Sequence, residues 1–256
     1  MNRKSLPPTL LCLAMLLCPC RASAAPGSEN VYVLKQHDMY FGNFVTYLGT
    51  SGVKFVFPKY KIEIVAKSPS WKVLSYNQSN NAAVEMSLED WRRAGLSRFG
   101  RLNFMNIGTT QNSFDKNFNV NVVTVRHSTM ENSGFAISAF YRTKSRETKI
   151  TAKELTYTQD IPISQKSHEV LAGLLKTPPE FKLPLFYNWI DEKGRKLPVW
   201  TTDSIERKHL SSAIFKYPTK YKLTKDQDEV VLGGVRKKEV EGIIDGLLGD
   251  QDPAKK

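Results

Sequence analysis

No cysteine follows Cys20; the chain's three, Cys12, Cys18 and Cys20, all stand within its first 20 residues. Whatever folds beyond them has no disulfide to draw on, so burial of apolar surface has to hold it together. Long hydrophobic runs are missing too. The one candidate, LLCLAMLLC at 10–18, falls short of the roughly 20 apolar residues a spanning helix needs and is broken off by Pro19 and Arg21. It follows Arg3 and Lys4 and precedes the small residues ASA at 22–24. That order of charge, apolar run and small residues predicts a secretory signal peptide cleaved after Ala24. Lipid attachment through Cys18 or Cys20 is the competing reading, but a lipobox places a small residue before its cysteine, and Leu17 and Pro19 stand there.

Motifs that carry chemistry are equally scarce. His37, His127, His168 and His209 are far apart and show no HExxH or other ligand spacing. They read as ordinary surface or half-buried histidines, and neither a metal nor another cofactor is expected. There is no GxSxG elbow, Walker A loop or GxGxxG fingerprint; GTSG at 49–52 and LGGV at 232–235 read as turns. A dispersed Ser-His-Asp set has no sequence spacing to betray it, which keeps an unrecognised secreted hydrolase among the alternatives. No Arg-rich run interleaves with aromatics, so nucleic acid is not an expected partner.

What the chain does have is positive charge. Its formal net charge is +12, and the leader's Arg3, Lys4 and Arg21, with no acid beside them, leave +9 for residues 25–256. Such an excess keeps a protein soluble and favours encounter with an anionic membrane surface or cell-wall polymer. The expected organisation is a signal peptide at 1–24, a β-rich domain at 25–232, and a C-terminal amphipathic helix with a polar tail at 233–256. In that last segment Val240, Ile243, Ile244, Leu247 and Leu248 recur at helical spacing. Its charges oppose the helix dipole and Gly242 and Gly246 weaken it, so it needs a partner surface, on this sheet or on another molecule.

Alternation dominates the rest. Residues 31–34 and YFGNFVTYL at 40–48 are β-rich, and after the GTSG turn VKFVF puts Val53, Phe55 and Phe57 on one face. In YKIEIVAK, Tyr60, Ile62, Ile64 and Ala66 point one way and Lys61, Glu63 and Lys67 the other, the pattern of a sheet covered on one side. WKVLSYN pairs Trp71 with Val73 on one face and Leu74 with Tyr76 on the other. After the turn NQSNN and the return strand AAVEM, Ser87 opens a short helix, with Asp90 as capping-box partner, Trp91 on the helix and Gly95 as its stop. Asn77-Gln78-Ser79 forms a glycosylation sequon in that turn.

Further strands are expected at 118–125, 134–141 and 147–158, and a second helix after Ser164 with Val170, Leu171, Leu174 and Leu175 as its apolar stripe. Residues 177–200, with four prolines, read as a loop-rich excursion around a short hairpin turning at DEKGRK. A last strand pair is expected in TTDSIERKHL and KYKLTKDQDEVVL. The fold class is therefore α+β, mainly antiparallel β: a curved, half-open barrel covered by a few short helices.

Residues 52–91, GVKFVFPKYKIEIVAKSPSWKVLSYNQSNNAAVEMSLEDW, resemble the core of LolA-like proteins, the periplasmic lipoprotein carriers and their relatives. SAIFKYPTKYK at 212–222 is similar to the F-x-x-P-x-x-Y ending of the last strands in such relatives. The resemblance implies a half-open antiparallel barrel closed by helices around an apolar cavity for lipid chains. Carriers of the family close their lid with a buried arginine, and no arginine of this chain is matched to it. The expected function is then that of an exported, non-enzymatic lipid- or lipoprotein-binding protein of the periplasm, the cell envelope or the secreted fraction. Its expected ligand-binding residues are Phe55, Phe57, Ile62, Ile64, Trp71 and Val73 on the sheet, with Trp91 and Leu171 on the covering helices. The alternative is an envelope scaffold whose partner is another envelope protein.

Overall fold

The computed structural model describes residues 27–39, 41–95, 108–131, 150–175, 177–231 and 233. Strands run in chain order as β1 (Ser28–Asp38), β2 (Gly42–Leu48), β3 (Gly52–Phe57), β4 (Ile62–Lys67), β5 (Val73–Asn77) and β6 (Ala82–Met86), leading into helix α1 (Leu88–Ala94). They continue as β7 (Thr109–Asp115), β8 (Val120–Glu131) and β9 (Ile150–Thr158), then helix α2 (Gln165–Leu175) and a 3-10 turn at Pro179–Phe181. The long hairpin β10 (Leu183–Asp191) and β11 (Lys196–Ser211) follows, with a second 3-10 turn at Ser212–Phe215 and the short β12 (Lys222–Leu223). The twelve strands among the described residues form one open sheet in the order β12-β6-β5-β4-β3-β2-β1-β11-β10-β9-β8-β7. Every pairing is antiparallel except β12 with β6. The expected class, α+β with a curved and mainly antiparallel sheet, is the one found.

Pairing register turns sequence alternation into a continuous apolar wall. Phe55 lies opposite Ile64 and Phe57 opposite Ile62, Val73 lies opposite Ala66, and Leu48 lies opposite Val53. Directly opposed residues share a face, so these side chains form rows across β2 to β5. Those rows belong to the largest core cluster, which reaches through Leu34, Tyr187 and Trp200 to Leu155 on β9. An aromatic group sits at its centre. Phe44 stacks on Phe57 at 4.9 Å and meets Trp200 edge-on at 4.7 Å, and Phe41 packs on Phe57 at 4.8 Å.

The opposite face is covered by the chain itself. Leaving β11, residues 212–221 cross the backs of six strands before β12 joins β6 at the far edge. Phe215, at 1% exposure, clusters there with Val31, Val33 and Val65. Further along, the Tyr217 hydroxyl donates to the Lys72 carbonyl at 2.7 Å, and Lys67 lies 4.9 Å over the Tyr217 ring. Both glycines of the GTSG turn make room for Phe215. A Cβ on Gly49 would come within 2.7 Å of its ring, and one on Gly52 would meet both the ring at 2.7 Å and the Ala66 carbonyl at 2.8 Å. Gly49→Ala is expected to cost about 1–3 kcal/mol by overpacking. The loss should shrink in a Phe215→Ala background, where the obstructing ring is gone, and urea unfolding of the two single variants and the double variant measures that coupling. Glu29 secures the same turn, accepting from Thr50 N at 2.8 Å and Ser51 N at 3.0 Å. Partial burial raises its pKa, but these bonds and those from the Ser51 and Thr50 hydroxyls outweigh it and hold the carboxyl below its ordinary value.

Several expectations need correction. The hairpin expected to turn at DEKGRK is there as β10 and β11, but it is long and not short, and it takes up most of the stretch 177–200 read as loop-rich. Its prolines sit beside register shifts, Pro184 next to the break before Phe186 and Pro198 next to the break after Tyr187, where a missing ladder N–H is tolerated. β7 was not expected at all. The last expected strand shrinks to Lys222–Leu223, and residues 227–231 are helical instead. The sequon in the 78–81 turn is closed: Asn77 is 2% exposed and its Nδ2 donates to the Val230 carbonyl at 2.7 Å. The signal peptide, the expected strand at 134–141 and the C-terminal helix from 234 onward lie outside the described residues.

Candidate functional site

The α1–α2 pair lies against the apolar face of the sheet. Ser87 caps α1 as read from the sequence, its Oγ accepting from Asp90 N at 3.0 Å and donating to Asp90 Oδ2 at 2.7 Å. Gly95 closes the helix, its N–H donating to the Trp91 carbonyl at 2.7 Å. Between these caps, Trp91 is held on a single side of the turn and projects onto α2. Its Nε1 donates to the Val170 carbonyl at 2.8 Å. The indole also fills the space a side chain would need at Gly173, where a Cβ would stand 2.3 Å from Trp91 Cδ1. A glycine that is unfavourable within a helix thus provides the seat that joins the two covers.

α2 begins where Ser164 Oγ accepts from Ser167 N at 3.0 Å. It buries Ser167, His168, Val170, Leu171, Ala172, Gly173 and Leu175, far more of its circumference than a stripe of four aliphatic residues. The expected membership of Leu174 is only partly met, since that side chain is half-buried at the edge of the core. Among the described residues, α1, α2, the turn at Pro179–Phe181 and the helical residues 227–231, through Val231, lie against this core.

All eight side chains singled out from the sequence converge on the same cluster. Phe55, Phe57, Ile62, Ile64 and Trp91 are 0% exposed, and Val73 and Leu171 are 1%. Trp71 differs. It stands outside the strands with φ 51°, a backbone region costly for a bulky residue, and packs half-buried at the rim of the core. The arrangement is closed, with helix side chains seated directly on the sheet.

Sequence reasoning missed the polar atoms inside this wall. Thr46 Oγ1 donates to Gln36 Oε1 at 2.6 Å and Gln36 Nε2 donates to Thr202 Oγ1 at 3.0 Å, a chain of three buried residues across β2, β1 and β11. Among the described residues, Trp200 Nε1 is buried without a hydrogen-bond partner. So are both ring nitrogens of His168, which at 5% exposure is neither a surface nor a half-buried histidine. Burial, reinforced by the positive charge of Lys182, pushes the His168 pKa down from 6.5 to about 4. A cover that seals polar atoms without partners is weaker than one built of aliphatic side chains alone. No three His, Cys, Asp or Glu side chains gather into a metal-binding group among the described residues. Nor is any helix among them long and apolar enough to cross a membrane.

No family model matches the chain, and no curated protein matches it. Among solved structures, it is similar to an uncharacterized conserved protein from Thermus thermophilus, with 13% identity over 77% of this chain and 90% of that one, at a TM-score of 0.33. A likeness at that score bears on neither the fold nor the resemblance to lipoprotein carriers.

Proposed function

We propose that this is an exported, non-enzymatic protein of the LolA-like type that holds acyl chains of lipid or lipoprotein between the apolar face of its sheet and the α1–α2 pair. One observation supports this reading above the others: the broad apolar wall of β2 to β5 is capped by two short helices that are fastened to each other through Trp91, Val170 and Gly173. Such a pair can lift as a unit. Since seven of the eight wall and cover residues are at most 1% exposed, a bound chain takes the place of the helices' own contacts, and the open state is the loaded one. Each buried Å² of acyl surface returns about 25 cal/mol, which works against the helix contacts given up. The basic surface brings the protein to anionic membranes, where such chains reside.

The test is direct. Protein purified from an exporting host is extracted with organic solvent and the extract examined by mass spectrometry, and the delipidated protein is titrated with a fluorescent fatty acid. Co-purifying lipid and saturable, displaceable binding are expected. An empty extract together with no binding of the probe removes the reading.

A further inference from the structure

The two edges of the sheet are built differently. At one end stands β12, two residues long, paired in parallel, and set among Lys216, Lys220, Lys222 and Lys225. Shortness and lysine are devices that keep an edge from pairing with another chain. At the other end stands β7, TTQNSFD, seven residues long and paired to β8 along its whole length. It contains no proline and no basic residue, and Thr109 through Phe114 are all exposed, including Phe114 at 52%. Both faces of the strand are open, and no strand covers its outer edge among the described residues.

We infer that β7 is a self-association edge, pairing antiparallel with β7 of a second copy about a two-fold axis through Asn112. Charge selects this occupant. With Asn112 opposite its own counterpart, Thr110 faces Phe114, Gln111 faces Ser113 and Thr109 faces Asp115, so no like charges are opposed. The β8 residue opposite Thr109 is the exposed Arg126. Directly paired residues share a face, which places each copy's Asp115 in one row with the other's Arg126, two strand spacings or about 10 Å apart, within reach of the long arginine side chain. The two-fold makes this attraction twice. Phe114 gains cover from Thr110 of the second copy. Because the pairing is isologous it closes at two copies, and the guarded β12 edge prevents further growth of the continuous 24-stranded sheet.

Sedimentation equilibrium on the full-length protein, carried to its highest soluble concentration, tests this with two variants at an exposed position. Wild type is expected to dimerise. Asn112→Lys and Asn112→Glu alone put like charges face to face and should each weaken dimerisation at least tenfold, whereas an equimolar mixture of the two should recover it as a heterodimer. A monomeric wild type overturns the inference, as does a dimer indifferent to either substitution or a mixture no tighter than its components. Circular dichroism of each variant confirms that the fold is kept.

Discussion

Trp91→Ala is expected to lower the free energy of unfolding by about 3–5 kcal/mol, the range for truncating a fully buried aromatic side chain. Against a total of roughly 5–15 kcal/mol for a domain, this is the largest effect of any single substitution discussed for this protein. The reason is placement. Trp91 is 0% exposed, donates to the Val170 carbonyl and occupies the space above Gly173, so its removal leaves a cavity between α1 and α2 that neither short helix can close by bending. Urea unfolding followed by fluorescence and circular dichroism measures the loss. A change below about 1 kcal/mol would mean that the helix pair contributes little to the folded state. Trp91→Phe keeps most of the volume and forfeits the hydrogen bond, and it should cost roughly 1 kcal/mol for that bond plus a smaller packing loss.

Acid should act on the same cover through His168. Its imidazole titrates near 6.5 in the unfolded chain and near 4 in the folded one. Above the upper value neither state carries the proton and stability is at its plateau. Between the two the unfolded chain binds a proton that the folded chain refuses, so stability falls as pH falls. Each pH unit inside that window is worth up to about 1.4 kcal/mol, and crossing the whole window roughly 3 kcal/mol. His168→Leu removes the titrating group and both unpartnered nitrogens while filling similar space, so it should match or exceed wild-type stability at pH 7.5 and abolish most of the slope. Unfolding measured at pH 7.5, 5.5 and 4.5 for both proteins decides it. The remaining histidines are common to the two, so a slope shared equally by wild type and variant would place the acid sensitivity elsewhere.

Much of the architecture could be read locally because local signals and tertiary packing agree there. Ser87, Asp90 and Gly95 announce α1 by capping chemistry that needs no distant residue. Phe55, Phe57, Ile62 and Ile64 alternate because one face of β3 and β4 is the apolar core, while the other carries the Lys54–Glu63 ion pair at 2.9 Å beside Val65 and Phe215. Where the agreement lapses, the reading failed. TTQNSFD shows no alternation, since a strand exposed on both sides has no reason to segregate apolar residues. Pro184 and Pro198 looked like breakers because the bulges that accommodate them are a property of the pairing and not of the dipeptide. Phe215 and His168 were silent for a third reason. Phe215 is buried by strands from the opposite end of the chain, and His168 lies on a helix that packs against α1 and β3, both remote from it in sequence.

The position of β1 has a consequence for how the molecule comes into being. It lies in the middle of the sheet between β2 and β11, so the successive strands β1 to β6 and the later group β7 to β11 meet along one seam, where Gln36 bonds to Thr202 across 166 positions. A ribosome releases the first group long before the strand that completes it. Until residue 211 emerges, a half-sheet with a bare central border has to survive in solution, and closing so long a loop costs entropy before any contact rewards it. Refolding in milliseconds to seconds, with aggregation competing at high concentration, is the kinetic signature this topology carries.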